Sequence, residues 1–397
     1  MCIAVTTQRI LIKKPLVKVE NSQYQIEFPI ISGDKTQLLW YSIDEKYKDF
    51  ICIDSADGVI TTLLPYAIRG GYDIESELPI SQKLYYNLTT QLIPQLAVCT
   101  ESSHKTKIFA EYIKIENNPI NIAAAVSCGV DSFTTIYEYT EESFLNDYKL
   151  THLTYFQNGA HHGGRSGYSN IQSELFEGQL KTATKFCEEN HFNLIVVRSN
   201  LDEFLSSFFW KDPFYCTHTY RNIGFAMLLQ NGIKTYYYSS AHNVSEFNCS
   251  LNIDSAEYER FLLPYLSTEK FTAYNSNGAM SRNEKIQFIS KFPATYNYLT
   301  VCYTGSENCG KCTKCLRTLL ALDVLGVLDK YSGSFDIEDY KKNREWYITR
   351  LCAGRHDDDL LQEIYDYAKT NNFTIPLKCK LKGIVVYFAR KLKNKKV

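Results

Sequence analysis

The sequence predicts an α/β protein: a parallel sheet covered by helices, with a β-rich segment before it and a helical one after it. Three observations predict it. Short apolar runs alternate with amphipathic stretches between 118 and 330, small residues cluster where the first of those runs ends, and four of the 13 cysteines crowd into Cys302–Cys315. Strands that alternate with helices form parallel sheets buried on both faces.

The elements follow in order. At 397 residues the chain exceeds one small core, and regions 1–117, 118–330 and 331–397 are expected. In the first, LVKVE, YQIEFPI, LLWYSI and ICID are rich in β-branched and aromatic residues. Turn signals at Ser32-Gly33-Asp34 and Asp57-Gly58 separate them. SQKLYYNLTTQLIPQLA, with Leu84, Leu88 and Leu92 four residues apart, reads as a helix. In the second, INIAAAV, LTYF, FNLIVV and KTYYYSS read as strands. SFTTIYEY, FEGQLKTATKFCEEN and RNIGFAMLLQNG read as the helices between them. The third region is mostly helical and ends in a basic tail.

Composition excludes some classes. Hydrophobic residues make up 45% and charged residues 22%, as in soluble globular proteins. A net charge of −1 offers no electrostatic case for nucleic acid as a partner. The N-terminus lacks the continuous apolar core of a signal peptide, and no run approaches the roughly 18 apolar residues of a membrane helix. A cytoplasmic, reducing setting is therefore expected, in which clustered cysteines favour a metal over disulfides.

The most informative stretch is AAAVSCGVDSFTTIYEY, in which a strand runs into Ser127-Cys128-Gly129-Val130-Asp131-Ser132 and a helix follows. Small residues allow close backbone approach to a ligand. Gly129 can take a positive φ, and Ser132 or Asp131 can cap the helix. N–H groups at such a helix start suit a phosphate. By itself the pattern reads as an anion loop or as a tight strand-to-helix turn.

This segment resembles the SGGxDS signature of PP-loop ATPases, the N-type ATP pyrophosphatase superfamily, with Cys128 in the place of the first glycine of the pair. The resemblance implies a Rossmann-like domain of the adenine nucleotide alpha hydrolase kind. It implies ATP and Mg²⁺ as cofactors, wrapping of pyrophosphate by Ser127, Cys128, Gly129, Val130, Asp131 and Ser132, and cleavage between the α and β phosphates. Asp131→Ala is then expected to abolish AMP formation and leave the fold intact.

Cys302, Cys309, Cys312 and Cys315 stand in the spacing C-x6-C-x2-C-x2-C, which supplies the four thiolates of a closed structural zinc site. An iron–sulfur cluster is the rival reading. CGKC-x2-C followed by Arg and an apolar helix also resembles 7-cyano-7-deazaguanine synthases. TYRNIGFAMLLQNG resembles that family's GRN-x2-F segment, at Arg221 and Asn222. LTYFQNG, with Phe156, resembles its nucleotide-edging turn, and SRNEKIQFI its helix start. The likeness covers about 118 to 325. It implies adenylation of a carboxylate, of the 7-carboxy-7-deazaguanine kind, followed by attack of ammonia or an amine to give an amide or nitrile. It also implies that Asp131, Ser132 and Arg221 are catalytic. The region SSAHNVSEFNC departs from the family where the acid binds. Two other readings are carried: tRNA or nucleobase thiolation, in which Cys128 would transfer sulfur instead of being a tolerated small residue, and a nucleotide-binding subunit without catalysis. A homodimer is left open.

Other residues have two readings. His218 is a substrate contact or a structural histidine. His161-His162-Gly163-Gly164-Arg165 is a loop over the nucleotide or plain surface. Asp254 and Glu257 are pocket or magnesium residues or solvated turn acids, and Lys285 meets phosphate or solvent. The tail from Lys378 to Val397 has eight Lys or Arg and no acid. A terminal helix docked on the protein is expected there, with contact to an anionic membrane as the alternative.

Overall fold

The computed structural model describes residues 8–394, apart from 101–103, 117, 144, 161–169 and 211–212. Its strands are β1 (Arg9–Ile12), β2 (Leu16–Glu20), β3 (Gln23–Ser32), β4 (Lys35–Asp44), β5 (Asp73–Ser76), β6 (Ile80–Ser81) and β7 (Ile108–Phe109). They continue as β8 (Tyr112–Ile113), β9 (Asn121–Ala125), β10 (His152–Phe156), β11 (Asn193–Ser199), β12 (Ile233–Ser239) and β13 (Thr272–Ser276). Eleven of them make one sheet in the order β13-β12-β9-β10-β11-β4-β3-β1-β5-β7, with β2 beside β3, and β6 pairs with β8 apart from it.

The stretch β13-β12-β9-β10-β11 is parallel throughout. It is rich in Val, Ile, Ala and Tyr, and β9, β10, β11 and β12 alternate between two cores. Ala123, Phe156, Val197, Tyr236 and Tyr238 face one core, while Ala124, Leu153, Tyr155 and Tyr237 face the other. This period-two alternation with both faces covered is what a buried parallel sheet requires.

The expected boundary at 117 does not interrupt the sheet. β4 joins β11 antiparallel, with Val197 opposite Ile43 and Ser199 opposite Tyr41. Ile10, Tyr41 and Leu63 share a core with Phe156, Phe225 and Tyr236.

Two local expectations are corrected. ICID forms no strand: Ile51 and Cys52 are buried, and Cys52 N–H bonds to the Leu228 carbonyl at 2.8 Å. Asp57-Gly58 opens the helix Asp57–Gly70 instead of marking a turn. The buried Asp57 carboxylate accepts from Ser55, Ser81 and Gln230. Gly58 is needed for contact, since a Cβ there would stand 2.6 Å from the Gly224 carbonyl of the crossing helix His218–Leu228. Leu84, Leu88 and Leu92 are fully buried.

The chain runs from β9 through β10 to β11 on one side of β9, then returns to place β12 and β13 on its other side. Strand order therefore reverses between β9 and β12. At such a reversal the connections leave in opposite directions and open a crevice beyond the strands' carboxyl ends. The Ser127–Ser132 loop leaves β9 at that place.

Beyond 330 lie the helices Ile337–Gly354, Asp359–Thr370 and Leu377–Asn394. The last docks on the first through Cys379 and Gly383, as expected for the tail. A Cβ at Gly383 would meet Cys352 Cβ at 2.5 Å, and Lys378 pairs with Glu345. No helix among the described residues is long and apolar enough to cross a membrane.

Candidate functional site

Within the loop, Ser127 Oγ donates to Ser132 Oγ at 3.1 Å, and Ser132 Oγ lies 3.1 Å from the Gly129 carbonyl. Gly129 N–H bonds to Ser127 Oγ at 3.3 Å. The positive φ belongs to Cys128, at 56°; Gly129 is extended, with φ −85° and ψ 172°. No side chain among the described residues caps the helix Val130–Glu138. The expected roles of Gly129, Ser132 and Asp131 in backbone turn and cap are thus corrected. Thr300 N–H bonds the Cys128 carbonyl at 2.8 Å and the Cys128 side chain is buried in the core, which together hold that residue left-handed. Asp131 instead turns towards two cations.

A left-handed non-glycine residue carries backbone strain, and a β-branched one most of all. Cys128→Gly is expected to stay within about 1 kcal/mol of the native stability, and Cys128→Val to lose about 2–3 kcal/mol. Urea midpoints check both. Burial also pushes the Cys128 thiol up from its ordinary pKa, so little thiolate is present near neutrality.

Asp131 Oδ1 accepts from Lys285 Nζ at 3.0 Å, and Oδ2 pairs with Arg282 at 3.0 Å. Burial works to raise the Asp131 pKa, but Arg282 and Lys285 outweigh it and hold the carboxyl below its ordinary value. Lys285 is 1% exposed and also donates to the Ser240 carbonyl at 2.5 Å. Removing one partner of such a pair strands a buried charge, at about 3–5 kcal/mol. The expectation that Asp131→Ala spares the fold is therefore replaced: Asp131 also neutralises Lys285.

Glu259 is buried, with Oε1 accepting from Asn275 at 2.6 Å, and burial pushes its carboxyl up to about 7. A carboxyl with a raised folded pKa keeps a proton that the unfolded chain has released. Stability then falls as pH rises from about 4.3 towards 7. Glu259→Gln is expected to remove this slope and to add on the order of 2 kcal/mol at pH 8. Denaturation of both proteins at acidic and alkaline pH measures it.

Two cavities meet at the loop. One, of about 360 Å³, is lined by Phe156, Phe214, Tyr236 and Tyr238, with the amides of Asn158 and Asn222. The other, of about 300 Å³, is lined by Gly129, Val130, Arg282, Lys314 and Arg317. Ser127 and Asp131 line both. Neither Lys314 nor Arg317 forms a salt bridge among the described residues. Burial, and after it the nearby Arg282, lowers the pKa of each. Close cations that disfavour one another's charge form a seat for an anion. Arg282 and Lys314 were not singled out from sequence, and Arg317 entered only as the Arg that follows the cysteine motif. The available signal was Lys314 and Arg317 three residues apart at a helix start, which places them on one face.

The sulfurs of Cys302, Cys309, Cys312 and Cys315 all lie within 4.8 Å of one another. A tetrahedral zinc with Zn–S near 2.3 Å holds its sulfurs about 3.8 Å apart, so small side-chain adjustments close this set on one ion. Gly310, at φ 67°, makes the turn inside the cluster. N–H groups of Thr304, Lys311, Cys312 and Cys315 point at three of the sulfurs over 3.3–3.5 Å, as thiolates prefer. Cys312 is the N-cap of the helix Thr313–Val324, which carries Lys314 and Arg317. Cys302 follows Thr300, the residue that holds the loop at Cys128. The cluster is thus joined to both sides of the cationic cavity.

Other sequence-selected residues fall differently. Phe156 and Asn222 line the aromatic cavity, and Asn222 Oδ1 accepts from Asn158 at 2.8 Å. Arg221 does not line either cavity. It is 1% exposed and bonded to Thr217, the Asn158 carbonyl, Asp202 and Tyr66. Its expected direct role is corrected to positioning the Asn158 turn. His218 lines the aromatic cavity but is held by Tyr238 and Asp254, each at 2.8 Å. Burial works against ionisation of Asp254, yet bonds from His218 and His242 hold it well below the carboxylate range. The His161–Arg165 segment lies outside the described residues.

Compared with known proteins, the chain is matched by no family model, no curated protein and no solved structure.

Proposed function

We propose that the protein is an ATP-dependent ligase that adenylates a carboxylate, releases pyrophosphate and passes the acyl group to ammonia or an amine. One observation carries this reading. The Ser127–Ser132 loop lies at a sheet reversal between a cavity lined by aromatic rings and amides and one lined by three cations, of which Lys314 and Arg317 form no salt bridge among the described residues. A purine nucleoside matches the first and a polyphosphate the second, and a nucleotide spans them with its α-phosphate near the loop.

In the chemistry proposed, a carboxylate oxygen of the acid attacks the α-phosphorus, the bond to the β-phosphate oxygen breaks, and pyrophosphate leaves with its electron pair. The amine nitrogen then attacks the acyl carbon, AMP departs and the nitrogen loses its proton. Activation of the resulting amide by a second ATP would give a nitrile. Ser127, Ser132 and the uncapped N–H groups of the first helical turn bind the pyrophosphate. Lys314, Arg317 and Arg282 receive the charge that develops on it, with Mg²⁺ carried in on the ATP phosphates. Cys302, Cys309, Cys312 and Cys315 would hold zinc in a structural role and keep the Lys314 helix in place. The buried, high-pKa Cys128 counts against sulfur transfer.

The reading is tested by incubating the protein with ATP, an amine and carboxylic acids labelled with oxygen-18. AMP bearing one labelled oxygen is expected with the acid that serves as substrate. Unlabelled AMP from every acid that supports turnover would assign the protein to simple hydrolysis, and nucleotide binding without turnover to a non-catalytic role.

A further inference from the structure

The C-terminal helix Leu377–Asn394 has two apolar faces, and the fold covers one. The inner face, with Cys379 and Gly383, packs on Ile337–Gly354. The outer face carries Leu377, Leu381, Ile384, Val385, Phe388 and Leu392, each 53–70% exposed. Steps of three and four residues put these six on a single stripe. They account for a quarter of the large hydrophobic residues that the described surface leaves exposed. The helix contains no acid. Lys378, Lys380, Lys382, Arg390 and Lys391 are exposed on it, and the 3.6-residue period sets Lys378 and Lys382 along one border of the stripe and Lys380 and Lys391 along the other. The whole chain has a net charge of −1, so this is a local concentration of positive charge.

We propose that this helix seats the protein on an anionic lipid surface, lying in the headgroup plane with the outer stripe in the acyl boundary. A row of apolar side chains bordered on both sides by lysines fits such a surface, since the long stems reach outward to lipid phosphates while the stripe is buried. The stripe runs the length of a helix about 27 Å long, and only a flat apolar layer with anionic borders meets all of it. A second copy on the same stripe would bring two rows of lysines together. The helix is not apolar enough to cross a bilayer, so it lies on the surface. The proposal does not rest on the ATP reading.

Flotation of the full chain with vesicles tests it, using neutral lipid alone and neutral lipid with about one-third anionic lipid. Binding is expected only to the anionic vesicles, and it should fall several-fold on going from low to high salt. The variant V385Q/F388Q changes outward residues only and should keep the native melting temperature. Its bound fraction should drop at least tenfold, and K382E/K391E should abolish the anionic preference. Failure to float with anionic vesicles, or native flotation of V385Q/F388Q, would overturn the proposal. So would a wild-type dimer that V385Q/F388Q converts to monomer, or an acidic protein partner that it releases, where vesicles are not bound.

Discussion

Replacing Lys314 and Arg317 together by alanine is expected to lower kcat/KM for ATP about a thousandfold, or ~4 kcal/mol, while the melting temperature stays close to native. Each of these cations lies in the cavity beside Gly129 and Val130, and a charge-assisted contact to phosphate contributes about 2 kcal/mol. Neither forms a salt bridge among the described residues; Lys314 is exposed and Arg317 half-buried. Their removal should therefore leave folding unharmed. This separates them from Asp131, whose loss strands the buried Lys285. Steady-state kinetics over a range of ATP concentrations, with thermal unfolding beside them, decide the matter. Unchanged kinetics would remove the phosphate from this cavity.

The second large effect concerns the cysteines. Purified protein is expected to contain one zinc per chain, and Cys312→Ser to cost about 3–5 kcal/mol of stability, since metal binding contributes directly to folding. Cys315 is fully buried among the residues of its helix, so loss of the ion exposes a core helix and not merely a surface loop. ATP affinity should fall in parallel, because Cys312 caps the helix that presents Lys314 and Arg317. Elemental analysis and unfolding of wild type and variant read both effects. Iron with a visible absorption band, or metal-free protein of full stability, would contradict the assignment.

Much of this was legible in the sequence. Runs such as INIAAAV and KTYYYSS mark buried strands by length and composition, and they became β9 and β12. The cysteine spacing foretold sulfurs that meet in space, because a C-x2-C turn is local geometry. What was missed depends on long-range contact. Nothing local says that β4 pairs with β11 and carries the sheet past 117. Asp57-Gly58 has turn chemistry, but Gly58 serves a helix crossing at Gly224, and tertiary packing overrides propensity there. Arg221 was marked as a site residue by the likeness of its segment to GRN-x2-F. Its carbonyl, carboxylate and hydroxyl partners come from segments far apart in the chain. The contact that keeps Cys128 left-handed was hidden for a similar reason, since the Thr300 N–H that holds its carbonyl lies well over a hundred residues on.

In the proposed reaction the Ser127–Ser132 loop cradles pyrophosphate while the α–β bond of ATP breaks. Phosphorus NMR of the products, for wild type and Ser132→Ala, tests it most directly. Ser132 Oγ bonds within the loop at 3.1 Å to both Ser127 Oγ and the Gly129 carbonyl. Its loss should disturb the cradle without stranding a charge. The wild type is expected to yield AMP and pyrophosphate, and Ser132→Ala to form them roughly a hundredfold more slowly, a loss of about 3 kcal/mol in transition-state stabilisation. ADP and phosphate as products, or full activity in Ser132→Ala, would contradict the claim.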